Sequence, residues 1–209
     1  MEIVFLGTGD GFSKQYYNTN LLLRFDSHSL LIDCGHTCAT SLRHYGIGLS
    51  NIENIFITHL HGDHIGGLEE IAIKSRYIFK KKVNLYVPEL LVYELWEHSL
   101  KGGLEPSVDG PMTLSHYFNV IPVQKEFSMG LCRFEIVPTK HIPGMKSYGI
   151  RFNNVFYTSD TIFCQDLLES VHPCCDVIVH DCGFFTNPVH TYYKELLHLP
   201  SSLREKIYL

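Results

Sequence analysis

Several absences narrow this 209-residue chain before any motif does. No stretch approaches the roughly 18 apolar residues a bilayer crossing needs, so no membrane span is expected. None of the seven cysteines (Cys34, Cys38, Cys132, Cys164, Cys174, Cys175, Cys182) forms a Cys-x-x-Cys pair, and their number is odd. Reduced, mostly buried thiols in a cytoplasmic protein fit that pattern better than a disulfide framework. Basic excess is also missing: 17 Lys and Arg stand against 22 Asp and Glu, a formal charge of −5. That balance gives no global electrostatic reason to bind nucleic acid. The one basic run, Lys80-Lys81-Lys82, reads as a solvated helix end. The glycine-rich turn Gly7-Thr8-Gly9-Asp10-Gly11 lacks the GK[ST] ending of a phosphate loop, and no GxGxxG occurs, so it reads as a tight turn. Met1 to Gly7 has no cationic segment ahead of an apolar core and reads as a strand, not a signal peptide. With 45% hydrophobic and 19% charged residues, the chain is expected to fold as a single globular domain, 1–209.

What is present is concentrated in Thr58-His59-Leu60-His61-Gly62-Asp63-His64. The apolar, β-rich Asn54-Ile55-Phe56-Ile57 precedes it, and Ile65 to Phe79 continues it with a helical pattern. In extended backbone, side chains alternate faces, so His59 and His61 point the same way. The turn into the helix brings Asp63 and His64 round to the same spot. Imidazole nitrogen and carboxylate oxygen suit Zn²⁺, and also Mn²⁺ or Fe²⁺. A single histidine there would be a surface or capping residue. Three with an aspartate at this spacing point to a metal site.

The rest of the chain alternates strands and helices. Strands are expected at Glu2 to Leu6, Asn20 to Phe25, Ser29 to Asp33, Val83 to Val87, Tyr117 to Pro122 and Leu131 to Pro138. Tyr148 to Phe152 and Asn154 to Thr158 form a hairpin turning at Asn153-Asn154, and Asp176 to His180 is a further strand. Helices are expected at His36 to Tyr45, ending at Gly46, at Glu89 to Lys101 after Pro88, and at Tyr192 to Leu197. His36, His44 and Cys38 have no partner spacing and are expected to be structural. Tyr16 to Asn20 either lines a pocket or forms a surface loop. Leu104 to Pro111 either joins two halves or forms a lid.

The HxHxDH residues resemble the signature of the metallo-β-lactamase superfamily. That resemblance implies an α/β, four-layer αβ/βα sandwich with a one- or two-metal hydrolytic site. It implies that Asp33, at a strand end, supports a metal-binding histidine. It further implies His59, His61 and His141 on one metal, Asp63 and His64 on a second, and Asp160, within Tyr157-Thr158-Ser159-Asp160-Thr161, bridging the two. Two Zn²⁺ per chain are expected, with Mn²⁺ as an alternative. Such pairs lie roughly 3.5–4 Å apart, acidify water and neutralise charge on phosphoryl oxygens. Asp63 is counted as catalytic with His190, the candidate general acid, and Asp181, its orienting carboxylate. The last pair resembles ribonuclease Z, with Asp181 in place of the usual Glu; a capping Asp and a surface His are the alternative. The superfamily pattern ends with another histidine after a late strand. The sequence stops at Arg204 to Leu209 without one. A fragment lacking its last strand and helix, or a second metal with fewer ligands, is therefore expected.

Within the ribonuclease Z-like branch, three stretches are similar to the anti-Pycsar cyclic nucleotide phosphodiesterases. They are Phe12-Ser13-Lys14 with Tyr17-Asn18-Thr19-Asn20, Leu95-Trp96-Glu97-His98-Ser99-Leu100-Lys101-Gly102-Gly103-Leu104-Glu105, and Pro138-Thr139-Lys140-His141-Ile142-Pro143-Gly144-Met145. The resemblance implies hydrolysis of 3′,5′-cyclic nucleotides, cyclic CMP and cyclic UMP above all, by a homodimer that blunts immune signalling. Two readings stand beside it: an RNA 3′-processing endonuclease, which the −5 charge disfavours, and a nucleotide-binding sponge without turnover.

Overall fold

Runs such as Leu21-Leu22-Leu23 and Leu30-Leu31-Ile32 have no polar alternation, the pattern of strands covered on both faces. The computed structural model, which describes residues 1–209, buries all six of these side chains. The chain divides into two compact units, Met1–Gln124 and Lys125–Leu209. The division falls after the sixth strand and not within Leu104 to Pro111. No helix is long and apolar enough to cross a membrane.

The first unit is built on one six-stranded sheet, β1 (Glu2–Gly7), β2 (Asn20–Phe25), β3 (His28–Ile32), β4 (Asn54–Phe56), β5 (Val83–Pro88) and β6 (Phe118–Val123), in that spatial order. The first three strands pair antiparallel, and β3 to β6 pair parallel. Parallel neighbours require crossovers. These are α1 (Cys38–His44), then α2 (Gly62–Ile65) with α3 (Leu68–Lys74), then α4 (Val92–Leu95), α5 (Lys101–Leu104) and α6 (Leu114–Tyr117). The single helix expected over Ile65 to Phe79 is interrupted: the turn at Gly66-Gly67 separates α2 from α3, and a π turn over Ser75–Phe79 ends it. Pro88 closes β5 and stands directly before the helical turns that begin at Glu89.

The second unit has its own six-stranded sheet. Its spatial order is β12 (Ile207–Tyr208), β11 (Val177–Val179), β10 (Val155–Tyr157), β9 (Ser147–Phe152), β8 (Cys132–Thr139) and β7 (Glu126–Met129). β7 to β10 are antiparallel, while β10, β11 and β12 run parallel. The parallel crossovers are α7 (Gln165–Val171), then α8 (Tyr193–Leu196) with α9 (Ser201–Arg204). Phe156, Leu168, Ile178, Leu196 and Leu203 form the core beneath these strands. The hairpin turn at Asn153-Asn154 is as expected, with Asn153 at φ 49°.

Candidate metal centre

In parallel sheets, loops leaving the carboxyl ends of strands gather ligand-binding groups. Every predicted donor follows such an end or the end of β8. His59 lies three residues past β4, Asp160 three past β10, Asp181 two past β11 and His141 two past β8.

In the first unit, Asp33 organises the cluster. It follows β3 in a left-handed conformation, φ 63°, which Asp tolerates better than most non-glycine residues. Its carboxylate is completely buried and accepts three hydrogen bonds: from Thr58 N at 2.9 Å, Thr58 Oγ1 at 2.8 Å and His64 Nδ1 at 2.7 Å. Burial holds this carboxyl above its ordinary value, and His64 and Thr58 pull against that. Because Thr58 Oγ1 spends its proton on Asp33, it accepts at 3.0 Å from His59 Nδ1. One carboxylate thus sets both tautomers and makes the Nε2 atoms of His59 and His64 acceptors. His59 Nε2 lies 3.1 Å from His61 Nδ1, and His64 Nε2 lies 3.6 Å from Asp63 Oδ2. His59 and His64 have their Nδ1 protons committed to Thr58 and Asp33, and imidazole nitrogen beside a carboxylate is a donor set that suits a divalent cation.

Glycines make room for this arrangement. A Cβ on Gly35 would lie 1.9 Å from the Asp63 carbonyl oxygen, so the β3 end and the motif touch backbone to backbone. The His36 ring fills the space against Gly62 and Gly66. Asn18 and Asn20, within the stretch left open as pocket or loop, are buried scaffold. Asn20 Oδ1 accepts from Gly35 N at 2.8 Å, and Asn18 exchanges hydrogen bonds with Thr37.

In the second unit, His141 Nδ1 donates to the Val189 carbonyl at 2.7 Å, which presents its Nε2 at 3.7 Å from Asp160 Oδ2. Asp181 Oδ2 accepts from Thr161 N at 3.0 Å and from His190 Nδ1 at 2.7 Å. Ligand atoms of Asp160, Asp181 and His190 fall within 4.8 Å of one another. His180 takes no part: it is buried, donates to the Asp181 carbonyl at 2.6 Å, and burial lowers its pKa.

A family model described as anti-Pycsar protein Apyc1 matches residues 1–209. The anti-Pycsar protein Apyc1 of Paenibacillus xerothermodurans is 40% identical over 217 residues, covering 100% of this chain and 86% of its own length. That of Bacillus phage BSP38 is 40% identical over 225 residues, with 100% and 87% covered. This chain belongs to the anti-Pycsar Apyc1 family.

The family's fold is also seen in solved structures. The metallo-β-lactamase fold protein YhfI from Bacillus subtilis superposes with a TM-score of 0.77 over 96% of this chain and 81% of that one, at 17% identity. Human tRNase Z, short form, gives 0.68 over 99% and 91%, at 19% identity. The fold class is the α/β metallo-β-lactamase fold. The donor clusters are groups of His and Asp side chains that could hold a metal ion.

In the first unit His59 lies against His61 and His64 against Asp33 and Asp63; in the second Asp160 lies near His141 and His190, and His190 against Asp181. Sequence reasoning missed Thr58, Gly35 and the Val189 carbonyl. Thr58 had a readable signal, a hydroxyl residue directly before the first histidine. The other two depend on contacts between distant segments, which spacing does not encode.

Proposed function

We propose that this chain is a phosphodiesterase that opens 3′,5′-cyclic nucleotides, cyclic CMP and cyclic UMP first, to nucleoside monophosphates, and so lowers a cyclic-nucleotide immune signal in the cytoplasm. The observation that carries the reading is the full-length match to the anti-Pycsar family in a chain holding this donor set. By the superfamily pattern, His59, His61 and His141 hold one divalent metal, Asp63 and His64 a second, and Asp160 serves both. Nitrogen and oxygen donors favour Zn²⁺, with Mn²⁺ as the substitute. When bound, the metals supply acidified water and positive charge for the phosphoryl oxygens.

The chain's own groups do the rest. Asp33 and Thr58 keep the Nδ1 protons of His64 and His59 out of the way. Asp181 holds His190 by Nδ1, which turns Nε2 into the proton donor. One ring P–O bond breaks, one bond from water oxygen to phosphorus forms, and the departing ribose oxygen takes the proton from His190. A homodimer is the expected assembly, to be read by light scattering.

Incubating the purified chain with Zn²⁺ or Mn²⁺ and each cyclic nucleotide tests the reading. Linear monophosphate should appear with the parent and not with His59→Ala/His61→Ala. Stoichiometric binding without product would favour a sponge.

A further inference from the structure

We propose that Phe12 is the surface on which the substrate's nucleobase stacks. The inference rests on the cyclic nucleotide reading and names a base-binding element for it. The tight turn after β1 is not a free loop. Gly9 N donates to Tyr17 O at 2.8 Å, Thr19 N to Gly9 O at 3.0 Å, Asn18 Nδ2 to Asp10 O at 3.2 Å and Phe12 N to Asp10 Oδ1 at 2.8 Å. These bonds bring Gly11 against the metal motif: a Cβ there would lie 3.2 Å from the Asp63 carboxylate. The next side chain is a phenylalanine that remains 90% exposed.

A large apolar ring left in water forgoes the gain of burial, and here a hydrogen-bonded turn holds it at the rim of the donor cluster. A ligand whose phosphate reaches Asp63's neighbourhood carries its base out toward that rim. Every base has a π-face, so an aromatic platform binds bases without reading their hydrogen-bonding edges. Phe12 therefore adds affinity for all four cyclic nucleotides alike. Discrimination among bases falls to other groups.

The test measures binding by the Zn²⁺-loaded chain of non-hydrolysable phosphorothioate analogues of cyclic CMP and cyclic AMP, and of an abasic ribose 3′,5′-cyclic phosphorothioate. Phe12→Ala should weaken both nucleotides about tenfold and leave the abasic ligand unchanged, with the melting temperature and metal content of the parent. Phe12→Tyr should retain parental affinity, and Phe12→Leu should lose most of it. Unchanged nucleotide binding in Phe12→Ala, or an equal loss for the abasic ligand, would overturn the proposal and leave the cyclic nucleotide reading standing. A parent that binds the abasic ligand as tightly as the nucleotides would also overturn it. No binding of any cyclic phosphate by the parent would instead remove the reading itself, and this inference with it.

Discussion

At the scale of single residues, Asp33 does more than fill a buried position at the end of β3. Its oxygens fix Thr58 and His64 directly, and His59 through Thr58. Asn keeps the shape and tolerates the left-handed backbone, but its amide group cannot accept all three donors. Asp33→Asn should therefore weaken metal binding by about 10–100-fold, measured by competition with a chromophoric chelator. Parental metal affinity would mean the histidines hold their tautomers without it. His190 is a different case, because the role proposed for it is to carry a proton and not to hold a metal. His190→Asn should lower kcat by about 10²–10⁴ and spare metal content. Loss of metal in that variant would reassign His190 as a ligand. The sequence disclosed His59, His61, Asp63 and His64 because they sit within one short segment. Thr58's relay was hidden, since it exists only once β3 and β4 pair and bring Asp33 alongside.

At the scale of elements, the junctions matter more than the strands. Gly35→Ala would drive a methyl into the Asp63 carbonyl. The start of α2 must shift, so the variant should lose stability by about 1–3 kcal/mol and metal affinity as well. Denaturant titration and chelator competition would show both, and a variant with parental metal affinity would contradict the close contact.

The end of β11 makes a pH prediction. Burial lowers the pKa of His180 below its ordinary 6.5, so the folded state favours the neutral ring. The unfolded chain then binds the extra proton, and stability present above about pH 6.5 is lost as the pH falls from there toward the folded value. Denaturation midpoints at pH 7.5 and 5.5 should differ less in His180→Gln than in the parent. An equal difference would assign the acid sensitivity to other groups. Several short elements escaped the sequence reading, β7 and α7 among them. β7 has four residues with one buried side chain, and α7 has seven with only Leu168 and Val171 buried. Neither is long enough for a period to declare itself. Conversely, the long helical pattern over Ile65 to Phe79 concealed the Gly66-Gly67 turn, which the contact with His36 and the end of β3 demands.

At the scale of the whole molecule, two sheet units each contribute a cluster of donors, and each depends on its own core. Phe156→Ala should cost about 3–5 kcal/mol, because the ring is fully buried among Leu168, Ile178 and Leu203 beneath β10 and β11, the strands that lead to Asp160 and Asp181. A smaller loss in thermal or denaturant unfolding would show that the core collapses around the gap. The alternation of strands and helices made the α/β class legible. The division at Gln124 was not, because it lies in a short connection without the glycine and proline that drew attention to Leu104 to Pro111.

The most direct test of the central claim is turnover of cyclic CMP and cyclic UMP by the metal-loaded chain, followed as linear monophosphate. The account predicts multiple turnovers with Zn²⁺ or Mn²⁺, none after chelation and none in His59→Ala/His61→Ala. A metal-loaded, folded chain that leaves cyclic CMP, UMP, AMP and GMP all intact would contradict it.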